Sequence, residues 1–228
     1  MALRVPEQQI VHIRKFLELP DDKIAEFLDV LANAGLKYNV YDLSDEVSGR
    51  IELPGDLTFG VVRVLASLYL TRDVESTPIE TFVDQEVFVA LKEAETFSGK
   101  NVEAQWAKLR KFLIAALSLD STLGTAAKAG PTQTQHERIF VGARILTDVR
   151  PIFHLNVSEK PESAVINHML LIIQRDNFGH KADQYFALDS NDIRVLKALI
   201  DRAMKKEETL KGLMKDSGVT VLHPKDFF

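Results

Sequence analysis

Four polar side chains form the grouping in this chain that most suggests site chemistry: Asp148, Arg150, His154 and His168. The first three alternate along one apolar run, so a strand there puts them on one face. His168 belongs to the next run and is expected across from them. A guanidinium with two imidazoles would hold an anion, and His154 with Asp148 would make a base and its orienter. Any half-exposed strand shows the same alternation, with interface hydrogen bonds in place of chemistry. That plainer account is the expectation, with the four residues kept as a candidate ligand site.

Other chemical signals are thinner. The six histidines are His12, His136, His154, His168, His180 and His223. No two stand four apart as a helical metal site requires, and no His-Glu-x-x-His occurs. The chain has no cysteine, which excludes disulfides, thiolate metal sites and a cysteine nucleophile. No metal and no cofactor are expected. Ser98-Gly99-Lys100 is at most a fragment of a phosphate loop, lacking the first glycine and with Asn101 in place of the hydroxyl. No Gly-x-Ser-x-Gly elbow is present. Segments 24–34 and 43–51, joined after Gly35, imitate a helix-turn-helix. A reading helix must enter a negative groove, and this one offers Asp42, Asp45 and Glu46 against Arg50. Lys205, Lys206 and Lys211 are interleaved with Glu207 and Glu208, as on an ordinary solvated helix face. Nucleic acid is therefore not an expected partner.

The totals fit that picture. The chain has 228 residues, 46% of them hydrophobic and 27% charged, enough for one large domain or two small ones with packed cores. The net charge of −5 is uneven. Residues 131–228 carry 14 bases and 13 acids, so the acidic excess lies before them. Neither part is a basic block that would grip phosphates along a nucleic acid. Met1–Pro6 lacks the basic start and apolar run of a signal peptide, and no stretch is long and apolar enough to span a bilayer. A cytoplasmic protein with no membrane partner is the expectation.

The elements that must carry these residues fall into two groups. Helical spacing marks a first helix over 7–17 after Pro6. A second begins at Pro20-Asp21-Asp22 and stops near Gly35. A short third is expected with Ser44 as its cap. Residues 57–71 are apolar on nearly every side, which suits the central helix of a bundle. Two more helices follow, from Thr77-Pro78 to about Thr96 and over 102–119. A bundle domain over 1–128 results. Residues 124–135 are small and polar and read as a linker.

After the linker the period changes. Residues 145–155 alternate as a half-buried strand, with Pro151 implying an edge or a bulge. Residues 165–174 are apolar on both faces, with Met169, Leu171 and Ile173 on one and Leu170 and Ile172 on the other. A third strand over 185–188 leads through Asp189 and Asp192, a capping-box pattern, into a long amphipathic helix that Gly218 ends. The fold class is α+β: an N-terminal all-α bundle, then a small antiparallel three-stranded sheet and a long C-terminal helix over 137–228. The tail, ending Phe227-Phe228, is expected either to add a strand over 219–222 and cap the core or to serve as a docking peptide.

This order resembles the COMM-domain proteins over about residues 148–213. The residues that carry the likeness are Val149-Arg150-Pro151-Ile152-Phe153, Pro161 ahead of the second strand, and Phe186-Ala187-Leu188-Asp189 leading into Leu196-Lys197-Ala198-Leu199-Ile200. In that family the domain is a dimerisation and scaffolding module without catalytic residues. The resemblance implies a role in protein assembly.

Burial points the same way. One helix covers one face of a three-stranded sheet, so a second surface must come from the bundle or another subunit. The expected function is a non-enzymatic interaction and dimerisation protein, a homodimer through the C-terminal domain with Met169, Leu170, Leu171, Ile172 and Ile173 at its interface. The alternation does not decide which of their two faces is used. The alternative is a ligand-responsive regulator or enzyme, with a pocket between bundle and sheet lined by Arg150 and His168.

Overall fold

A computed structural model describes residues 3–75, 77–97, 101–134 and 136–223. The fold is α+β, with the helices mostly N-terminal. The chain divides into two compact units, with the boundary between Gln133 and Thr134.

The first unit is helical. Its first helix, α1 (Glu7–Leu17), follows Pro6 and buries Ile10, Ile13 and Phe16. Next, α2 (Asp21–Ala32) follows Pro20, carries Asp21 and Asp22 in its first turn and buries Ile24, Phe27 and Leu31. The third, α3 (Val40–Ser48), is capped by Asn39, whose side chain accepts from the backbone N–H of Asp42 at 2.9 Å. Ser44, expected as that cap, is instead buried inside the helix. Asparagine at position 39 is as good a cap, and it lets the helix begin five residues earlier.

Helix α4 (Gly55–Glu75) is central, as its apolar composition predicts. Leu57, Val61, Val62, Val64, Leu65, Leu68 and Tyr69 are all buried, on several sides of the helix. Close approach to α1 depends on Gly60. A Cβ built there would lie 2.3 Å from the His12 ring.

The next expected helix is broken into α5 (Ile79–Phe82), a π-helical turn (Val83–Val87) and α6 (Phe88–Glu93). Arg110 fastens that turn to α7 (Val102–Leu117), donating to both oxygens of Asp84 at 2.6 and 2.7 Å. The guanidinium holds the Asp84 carboxyl below the usual aspartate range. Phe16, Phe27 and Phe112 meet with ring centroids 4.6 to 6.0 Å apart and tie α1, α2 and α7 together.

The segment expected as a linker is folded. A second π-helical turn (Asp120–Gly124) runs into α8 (Thr125–Thr134). Leu123, Ala126 and Ala127 are buried in the core. Small residues mark loops, but they also let a helix approach its neighbours closely, and here the second use applies. Ser98-Gly99-Lys100 and Phe227-Phe228 lie outside the described residues.

The second unit is a meander of β1 (Ile139–Ile152), β2 (Ser163–Arg175) and β3 (Lys181–Leu188), followed by α9 (Ser190–Asp216). All pairings are antiparallel and β2 is central. Strand β1 starts earlier than the alternation indicates, through an irregularity between Phe140 and Gly142. It ends at Ile152, one residue after Pro151, on the sheet edge where a missing N–H is tolerated. Asp176 closes the β2–β3 turn by accepting from the N–H groups of Phe178 and His180, both at 2.9 Å, and Gly179 takes φ +89°. The capping box forms: Asp189 accepts from Asn191 and Asp192, and Asp192 accepts from the Asp189 N–H. Residues 219–222, expected as an added strand, form none.

Candidate functional site

The two units differ sharply in burial. The helical unit has a core in which Phe16, Phe27, Phe82, Leu65 and Leu117 are almost entirely enclosed. Among the described residues 136–223, none is buried. Even β2, flanked on both sides, is only half-buried over residues 168–175.

The strand register explains which surfaces stay open. Ile145 pairs with Leu170, and Leu170 with Phe186, so these three share one face. Ala143 and Ile172 extend that face. Helix α9 lies against it, since Leu170 and Ile172 line one groove with Ile193, Leu196 and Ile200. The cover is incomplete. A groove of about 530 Å³ remains, with Phe140 and Ile145 of β1 on its far wall.

The opposite face carries Met169, Leu171 and Ile173, with Leu146 and Tyr185 on the flanking strands. Leu146 is 46% exposed and Tyr185 60%. The alternation left two apolar faces equivalent; the register places Leu170 and Ile172 toward α9 and leaves the other set open.

Helix α9 also outruns β3, the strand it contacts. Its 27 residues span about 40 Å, whereas the eight of β3 span about 27 Å. Leu210 and Leu213, apolar residues of this amphipathic helix, are more than half exposed, as is Met204. They lie on the part of the helix beyond the contacts made by Ile193, Leu196 and Ile200.

The polar candidates do not converge. Arg150 donates to Asp148 at 3.3 Å, and both are exposed. His168 pairs with Thr147, one residue out of step with Asp148, which pairs with Asn167. A one-residue offset reverses the face, so His168 lies on the α9 side and the Asp148–Arg150 pair on the other. The imidazole Nδ1 is 2.8 Å from the Thr147 hydroxyl. His154 falls beyond the end of β1. The expected juxtaposition of His168 with Arg150 is thus replaced by an exposed ion pair and a separate cross-strand contact. Among the described residues, no three His, Asp or Glu side chains are grouped as a metal would need. No helix of the described residues is long and apolar enough to cross a membrane.

No protein-family model matches the chain. Nor does any curated protein match it.

The helices also hold a polar cluster that sequence reading missed. Tyr69 donates to Asp120 at 2.6 Å, and Arg72 and Lys128 lie within 5.4 Å of the Tyr69 ring centroid. These residues are separated by up to 59 positions, and no spacing rule connects them. Only the π-helical turn at 120–124 brings Asp120 beneath α4.

Proposed function

We propose that this chain is a non-enzymatic self-association protein whose β-β-β-α unit is completed by a second copy. One observation carries the reading: a unit of this size, apolar on both faces of its central strand, has no buried residue among those described. A folded unit needs an enclosed core, since burial of each large aliphatic side chain contributes about 1.5–3 kcal/mol. The open set Leu146, Met169, Leu171, Ile173 and Tyr185 runs across all three strands, with Arg144 opposite Leu171 and Asp183 opposite Ile173 on its margins. Its row Leu146–Met169–Ala187 is wholly apolar, as expected at the centre of an interface.

A second copy is favoured over an unrelated partner on charge. Residues 131–228 carry 14 bases and 13 acids, so two copies meet without net repulsion. A two-fold axis pairs the same patch with itself and closes the assembly. The likeness to COMM domains supports the same role. Cytoplasmic residence accords with a chain that has no cysteine.

The alternative, a ligand-responsive regulator or enzyme, draws less support, since Arg150 and His168 occupy opposite faces of the sheet.

Replacing Met169 by Asp tests the reading. Met169 stands opposite Leu146 on β1 and Ala187 on β3, so a carboxylate there must be desolvated without a cross-strand partner, which costs several kcal/mol. Sedimentation of Met169→Asp should show monomers, with Arg150→Ala still dimeric. An unchanged dimer for Met169→Asp, with normal far-ultraviolet dichroism, would place the interface elsewhere.

A further inference from the structure

Helix α9 carries a second stripe, turned away from the sheet, and we propose that an acidic amphipathic helix of another protein docks along it. Val195, Leu199, Arg202, Lys206, Thr209 and Leu213 follow one another at alternating intervals of four and three, the spacing that lets two helices pack side by side. The stripe stands roughly 130° round the helix from Ile193, Leu196 and Ile200, which line the groove against the sheet. All six of its residues are exposed, Leu199 and Leu213 by more than half. Self-association does not use this surface, because Leu146, Met169 and Leu171 lie on the sheet face opposite α9.

Charge decides what covers the stripe. Arg202 and Lys206 hold its two middle positions, and neither has an ion-pair partner among the described residues. The acids between Val195 and Leu213 are Asp201, Glu207 and Glu208, and they stand roughly 120–140° from the middle of the stripe. Two of them are already engaged: Asp201 with Lys197 and Glu207 with Lys211, both at 2.7 Å. The stripe is therefore apolar at its ends and cationic at its centre. A groove of about 340 Å³ beside the centre, lined by Arg202, Lys205, Lys206, Thr209 and Leu210, gives a partner's side chains a seat.

That pattern separates the possible occupants. A second copy of α9 would set cation against cation in either direction, with Arg202 opposite Lys206 or each opposite itself. A bilayer surface suits helices whose charges occupy a face separate from the apolar one. Here a helix lying flat would sink Arg202 and Lys206 to the depth of Leu199 and Leu213. A partner helix with apolar residues at the outer positions and Asp or Glu at the middle two matches both features, and the central charge pairs fix its register.

The test uses a fluorescein-labelled synthetic peptide of about three heptads, with Leu at the four outer seam positions and Glu at the two central ones. Its control carries Lys at those two. Fluorescence anisotropy with the full chain should show saturable binding of the Glu peptide, at least tenfold tighter than the Lys peptide. A chain carrying Arg202→Glu and Lys206→Glu should reverse that preference, with circular dichroism to check the fold. If that chain does not fold, Arg202→Gln alone should cut the preference to threefold or less. Leu199→Asn should weaken the Glu peptide threefold or more. No saturable binding of the Glu peptide, equal affinity for the two peptides, a preference unaltered by the charge changes, an affinity unaltered by Leu199→Asn, or tighter binding to phosphatidylglycerol vesicles would each overturn the assignment.

Discussion

Thr147 and His168 stand directly opposite each other on β1 and β2, with the hydroxyl 2.8 Å from Nδ1 of the imidazole. That single pairing fixes the orientation of the whole sheet. It assigns His168, Leu170 and Ile172 to the face under α9, and Met169, Leu171 and Ile173 to the open one. It also separates His168 from Arg150. Replacing Arg150 by Ala should therefore change stability by no more than about 0.5 kcal/mol, as for most exposed positions. His168→Ala should act independently, so the double variant should show additive effects in urea denaturation. Strong coupling between the two would mean that they share a site after all.

The capping box sets a pH dependence. Hydrogen bonds from the Asp192 and Asn191 backbones hold the Asp189 carboxyl below the ordinary aspartate range. A carboxyl that binds its proton less readily when folded stabilises the fold above the ordinary aspartate pKa. The contribution is lost as pH falls through the lowered value. Asp189→Ala should lower the melting temperature of the second unit at neutral pH. Asp189→Asn should keep most of the cap and flatten that part of the acid profile, as followed by circular dichroism between pH 7 and pH 2.

Gly60 marks the tightest contact within the helical unit. A methyl group there meets the His12 ring, which is part of a packed helix interface. Gly60→Ala should destabilise by about 1–3 kcal/mol, the usual cost of overpacking, despite alanine's better helix propensity. Gly55→Ala, where nothing lies within 4 Å of the added Cβ, is the control and should be close to neutral. Chemical denaturation of the two variants separates packing from propensity.

Because residues 125–134 are helical, the exposed backbone between the units is displaced from where small-residue composition puts it. Trypsin should cut after the exposed Arg138 before it cuts after Lys128, which lies inside α8. Mass spectrometry of the first fragments reads the order directly. Early cleavage at Lys128 would restore the linker reading of 124–135.

These outcomes turn on how much the sequence could convey. The α+β order, the central place of α4, the strand nature of β2 and the Asp189 cap were all legible, because each is written in local periodicity or cap chemistry. The face that α9 covers was not, since alternation gives two faces and only register and packing choose between them. Residues 125–134 misled because alanine and glycine serve loops and close-packed helices alike. The cap at Asn39 was passed over in favour of Ser44 because both residue types cap well and burial alone distinguishes them. The Tyr69–Asp120 bond joins residues 51 positions apart, beyond any spacing rule.

The central claim is that a second copy completes the β-β-β-α unit. Light scattering coupled to size-exclusion chromatography at tens of micromolar tests it most directly. The account predicts a mass twice the 25.6 kDa of one chain. It also predicts a fall to a single chain's mass for Met169→Asp. A well-behaved particle of 25.6 kDa for the unaltered protein at that concentration would contradict it.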